Sequence, residues 1–107
     1  MFTRTIELTL KTNMKPEFFK KCKAEVLPIL KKTPGFFDLV VLEQDAEVDK
    51  LFFLSFWETK KNAEYYEKEF YPKVKTIIEP FYTAAPVVKY WTLEETFSEK
   101  LFTKIMA

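Results

Sequence analysis

The run KLFFLSFWE at residues 50–58 constrains the fold more than any other part of this chain. In a β-strand, successive side chains project to opposite faces of the sheet. Leu51, Phe53, Ser55 and Trp57 therefore share one face, and Phe52, Leu54 and Phe56 share the other. Both faces are apolar or aromatic, so both require cover. A chain of 107 residues with two helical segments can cover one face from its own resources. A second copy of the chain is the simplest cover for the other.

The remaining elements follow from periodicity. Residues 2–12 alternate, with Ile6, Leu8 and Leu10 on one side and Thr3, Thr5, Glu7 and Thr9 on the other, which predicts a strand. Asn13 is expected to cap a first helix, and Phe18, Cys22, Val26 and Leu30 recur at helical spacing. Pro28 should loosen its last turn, and Thr33-Pro34-Gly35 stops it. Residues 36–44 read as a second strand, joined by the polar turn 45–49 to the third. Thr59 caps a second helix whose stripe is Ala63, Tyr66, Phe70, Val74, Ile77 or Ile78, and Phe81. Pro72 is expected to break or kink that helix near Tyr71. Residues 87–96 form a fourth strand. The order β-α-β-β-α-β predicts a ferredoxin-like α+β domain over residues 1–96, an antiparallel four-stranded sheet with both helices on one face. The helices should cover Phe52, Leu54 and Phe56, leaving Phe53, Ser55 and Trp57 opposite, or the reverse. The tail at residues 97–107 carries Phe97, Leu101, Phe102 and Ile105 and is expected to pack on the dimer.

Composition removes several function classes. Seventeen basic and sixteen acidic residues give a net charge of +1, so no global field recruits nucleic acid or an anionic membrane. No apolar run approaches the length of a transmembrane helix, and the alternating N-terminus does not read as a signal peptide. A single cysteine, Cys22, forms no intrachain disulfide, and a cytoplasmic location fits. The chain has no His, which removes the usual general base, the commonest metal ligand and any His–haem bond. Its only glycine is Gly35, so no Gly-rich loop cradles a phosphate. No cofactor is expected.

Two segments carry a resemblance. TPGFFDLVVLEQ followed by LFFLSFWETKKNAEYY resembles the antibiotic-biosynthesis monooxygenase family of dimeric α+β barrels. The matching residues are Pro34, Gly35 and Phe36 before the second strand, and Trp57, Glu58 and Thr59 between third strand and second helix. The resemblance implies a homodimer of ferredoxin-like subunits and cofactor-independent oxygenation of a quinol-like substrate. It also shows departures. Where many members carry His, this chain has Tyr66 and Tyr71, and its first strand lacks the Asn of haem-degrading members, which argues against haem degradation.

The residues expected to line an aromatic cavity are Ser55, Trp57, Tyr66, Tyr71, Tyr90 and Trp91. Such a cavity would hold a small apolar or aromatic molecule. Each has a plainer reading too. Trp57 equally well closes the core at a strand end, and tyrosines placed like Tyr66 and Tyr71 are more often amphipathic helix residues with body inward and hydroxyl outward. No general base stands out, because a phenol with a pKa near ~10 is a poor one at neutral pH. Two functions stand side by side: a cofactor-independent monooxygenase, and a non-catalytic dimeric barrel that binds a small molecule. An RNA-recognition module shares the element order. It lacks support here, because Leu51 occupies the signature's glycine position and the first strand has no stacking aromatic.

Overall fold

The alternating segments become four strands in the computed structural model, which describes residues 1–94. Strand β1 (Phe2–Thr9) is followed by helix α1 (Lys15–Lys21), a π-helical turn (Cys22–Val26) and α2 (Leu27–Lys32). Strands β2 (Phe36–Gln44) and β3 (Glu47–Trp57) form a hairpin, then come α3 (Lys60–Glu69), α4 (Tyr71–Ile78) and β4 (Val87–Thr92). The sheet order is β2-β3-β1-β4 and every neighbouring pair is antiparallel. This is the ferredoxin-like arrangement. The tail at residues 97–107, and the boundary expected at residue 96, lie outside the described residues.

Prolines shape both helical segments. Pro28 has no N–H to give and its ring would crowd the carbonyl four residues back. The chain widens ahead of it, and the Leu27 N–H bonds the Cys22 carbonyl, five residues back. The disturbance expected in the last turn thus falls one turn earlier. In the second segment Phe70 ends α3, and α4 restarts with Pro72 in its first turn, as the sequence predicts. Thr59 caps α3 by accepting from the Asn62 N–H at 3.1 Å. Asn13 caps nothing: it takes the left-handed conformation, φ 63°, and Met14 occupies the N-cap position without a side-chain bond.

Register decides which face the helices cover. Leu51, Phe53, Ser55 and Trp57 face the helices, the reverse of the first assignment. Leu51 and Trp57 are fully buried there, with Leu8 of β1 and Phe18 of α1. Across β1 the same face carries Phe2, Arg4, Ile6 and Leu8, all buried. The opposite face presents Thr3, Thr5 and Glu7 of β1, Phe52, Leu54 and Phe56 of β3, and Lys89 and Trp91 of β4. Trp91 is half exposed on it, and its indole N–H donates to Thr5 Oγ1 at 2.9 Å.

Candidate functional site

The two motifs that carry the family resemblance meet in space. Phe36 pairs with Trp57 across the β2–β3 ladder, with ring centroids 5.5 Å apart. The Glu58 N–H donates to the Gly35 carbonyl at 2.9 Å. Gly35 adopts φ +79°, and a β-carbon there would lie 2.1 Å from Asn62 Cγ. Glycine is therefore required twice, by conformation and by the approach of the α3 N-terminus. These residues fix where β2 and α3 begin.

Below them, between sheet and helices, lies a cavity of about 40 Å³. That is room for a few water molecules. Most of its wall is apolar: Ile6 and Leu8 from β1, Phe18, Cys22, Val26 and Leu30 from the first helical segment, Leu39 and Phe53 from the hairpin, Val74 and Ile78 from α4. Its polar residues are Arg4, Ser55, Tyr66 and Tyr71. Cys22, Val26, Leu39 and Phe53 also line a surface groove of about 590 Å³ between the π-helical turn and the hairpin. The groove and the cavity thus share a wall.

Arg4 is the centre of the polar end. It is 3% exposed, and its Nε donates to Glu67 Oε2 at 2.7 Å. Its Cζ lies 4.2 Å from the Tyr71 ring centroid and 5.5 Å from that of Tyr66, a cation–π contact with each of two neighbouring rings. Burial works against its charge, but Glu67 and the two tyrosines outweigh it, so the guanidinium is held above its ordinary pKa. Nη2 is buried and has no hydrogen-bond partner. Burial drives the Tyr66 hydroxyl well above its ordinary value, and it raises Tyr71 as well, against the opposing pull of Arg4. Both hydroxyls remain protonated at neutral pH. The break at Phe70 makes this cluster. Residues five apart on a continuous helix lie about 140° around its axis, whereas here the Tyr66 and Tyr71 rings are 6.2 Å apart.

The six residues expected at a cavity are distributed unevenly. Ser55, Tyr66 and Tyr71 line it. Trp57 is fully buried behind it, its ring 5.0 Å from that of Tyr66, and its indole N–H donates to Ser55 Oγ at 2.9 Å. Ser55 Oγ in turn donates to the Arg4 carbonyl at 3.2 Å. Tyr90 stands on the helical face, stacked on Phe2 at 6.1 Å, and borders a shallower surface depression with Glu67 and Lys68. Trp91 lies on the opposite face of the sheet, away from the cavity. Arg4 and Glu67 were absent from the expected set. The available signal was register, since Arg4 falls two residues before Ile6 on the inward side of β1.

Among the described residues no three His, Cys, Asp or Glu side chains gather closely enough to hold a metal ion. None of their helices is long and apolar enough to cross a membrane.

No protein-family description and no curated protein matches this sequence. Solved structures do match its fold. A monooxygenase from the ActVA-Orf6 gene of Streptomyces coelicolor, in complex with Nanaomycin D, superposes with a TM-score of 0.76 at 10% identity, covering 92% of each chain. SnoaB, a cofactor-independent oxygenase from Streptomyces nogalater, gives 0.73 at 17% identity, covering 92% of this chain and 97% of that one. A Bordetella bronchiseptica protein provisionally named an antibiotic biosynthesis monooxygenase gives 0.72 at 11% identity, covering 85% and 94%. At such identities the likeness speaks to architecture, and there it is plain: this chain has the ferredoxin-like α+β fold of the antibiotic biosynthesis monooxygenase structures.

Proposed function

We propose that this protein is a cofactor-independent monooxygenase of the antibiotic-biosynthesis type, acting on a flat aromatic or quinol-like small molecule. One observation carries the reading: an apolar cavity with a single polar end, built from Arg4, Ser55, Tyr66 and Tyr71 and adjoining an open groove. Apolar walls with a few convergent polar groups are the usual form of a small-molecule site. The fold adds support, because two of its solved neighbours are described as oxygenases, one of them cofactor-independent. An anthrone or quinol supplies its own electrons to O2. One oxygen atom enters the substrate as a carbonyl and the other leaves as water. The ring system would lie along the groove, with its oxygenated edge reaching past Phe53 into the cavity. Ser55, Tyr66 and Tyr71 would touch it directly, Trp57 would back Tyr66, Tyr90 would flank the Arg4–Glu67 pair from outside the cavity, and Trp91 would take no part there.

A specific observation favours the second reading, a binding barrel without turnover. No carboxylate or imidazole lines the cavity, and burial keeps the Tyr66 hydroxyl protonated, so no proton acceptor stands at the polar end. Oxygen uptake with a panel of anthrones and quinols, in chelator and without flavin, separates the two. Turnover that survives chelation supports the oxygenase. Tight binding without oxygen uptake supports the binder, and no binding at all removes both.

We also propose that the chain works as a homodimer packed through its open sheet face. Phe52 and Leu54 are only partly covered there, and Leu42, Val87 and Trp91 are about half exposed. Apolar area is worth roughly 25 cal/mol per Å² when removed from water, so a continuous face of this kind favours a partner.

A further inference from the structure

We propose that Arg4 Nη2 is the anchor for an ionised enol or phenol oxygen of the ligand, making the protein selective for acidic hydroxy-aromatics over neutral ones of the same shape. The inference rests on the reading of this cavity as a ligand site. A guanidinium carries five N–H donors in a rigid fork. Arg–carboxylate pairs are frequently bidentate, whereas Glu67 engages through a 2.7 Å contact to Nε. Nη2 is left buried without a partner. Leaving such a donor unsatisfied is costly, so each case calls for an explanation. The Tyr71 and Tyr66 rings hold the charge through their faces, at 4.2 and 5.5 Å. The Tyr71 and Tyr90 hydroxyls also interact with the guanidinium, and Nη2 is the donor that remains without a partner. The cavity contributes no carboxylate, and its remaining wall is apolar. A ligand that completes this site has a flat apolar body and one acceptor oxygen. A negatively charged oxygen completes it best, because a charge-assisted bond is roughly twice as strong as a neutral one. The few waters that fit in the cavity would leave as that oxygen arrives.

Two quinones of similar outline test this: 2-hydroxy-1,4-naphthoquinone, whose enol is ionised at neutral pH, and 2-methyl-1,4-naphthoquinone, which is neutral. Binding is read by calorimetry at pH 7 on the full chain. The ionised probe is expected to bind roughly ten- to a hundredfold more tightly, the worth of one hydrogen bond between charged groups. Arg4→Met is expected to erase that preference while the neutral probe still binds. Glu67→Gln guards against a variant that does not fold. It leaves Arg4 in place with its charge unshared, so the preference for the ionised probe should widen; a merely structural pair would lose stability and leave the preference unmoved. Equal affinity for the two quinones, or a preference that neither substitution shifts, overturns the anchor and leaves the cavity reading standing. If neither quinone binds, the cavity reading falls and takes the anchor with it.

Discussion

Gly35→Ala tests whether the residues at the meeting of β2 and α3 act through structure or through chemistry. At φ +79° an L-residue costs roughly 1–2 kcal/mol, offset by about 0.5 kcal/mol from a stiffer unfolded chain. The steric part is larger. The new β-carbon would lie 2.1 Å from Asn62 Cγ and 2.5 Å from Asn62 Cβ, so turning the Asn62 side chain does not relieve it. The backbones must part. That sacrifices the 2.9 Å bond from the Glu58 N–H to the Gly35 carbonyl and the Thr59–Asn62 cap, each worth about 1 kcal/mol. The expected loss is about 3 kcal/mol, or roughly 10–20 °C in melting temperature for a domain of this size. Chemical denaturation of single and double variants measures it. In an Asn62→Gly background these close contacts vanish and the loss should fall to about 1 kcal/mol, a coupling near 2 kcal/mol. In Asn62→Ala the β-carbon remains and little should be recovered. Folded Gly35→Ala protein should bind the naphthoquinones unchanged, since Gly35 lines neither cavity nor groove. A loss below about 1 kcal/mol, or the same loss in both backgrounds, would refute the clamp.

Two further outcomes are expected. Leu54→Asp places a carboxylate on the open sheet face and should weaken a dimer by several kcal/mol while sparing the fold. Sedimentation finding the unsubstituted chain monomeric at tens of micromolar, or the variant still fully dimeric, would count against the proposed interface. Phe53→Asp, by contrast, should damage the core, since Phe53 faces Phe18 at 5.9 Å. Burial pushes the Cys22 thiol up to about 12 from the usual 9.0, so the fold holds it neutral. Its contribution is intact below about pH 9 and is lost as pH rises from there toward 12. Cys22→Ala should flatten that part of the alkaline stability profile, and a profile identical to that of the unsubstituted protein would show that the thiol is not held this way.

The order of elements was legible because each had its own local cause. Alternation in TIELTL and KLFFLSFWE produced strands, Thr59 capped α3, and Pro72 ended it. What periodicity could not decide was the choice between two apolar faces of β3. That depends on which face of β1 the helices accept, and Thr5 and Glu7 on one side against Ile6 and Leu8 on the other settle it only once β1 and β3 are paired. Pro28 shows a similar limit. Its missing donor could be absorbed anywhere within a turn, and the chain absorbs it as a π-helical widening at Cys22–Val26, where the helix borders both cavity and groove.

The site was less legible than the fold because its centre is a residue type that normally stays outside. Counting back from Ile6 puts Arg4 on the inward register, but a long side chain can carry its charge out to solvent from such a position. What keeps it in is tertiary. Glu67 arrives from α3 to take Nε, and the break before Pro72 brings Tyr71 back beside Tyr66 so that both rings meet the guanidinium. None of the four residues Arg4, Tyr66, Glu67 and Tyr71 implies the others by spacing along the chain. An aromatic-lined cavity was expected, and Ser55, Tyr66 and Tyr71 do line one, yet the expected lining residues alone cannot say that its polar end holds a cation. The proline that looked like a defect in a helix is what assembles that end. A helix continuous through residues 66–71 would point one tyrosine away from Arg4 and leave the buried charge with a single aromatic face.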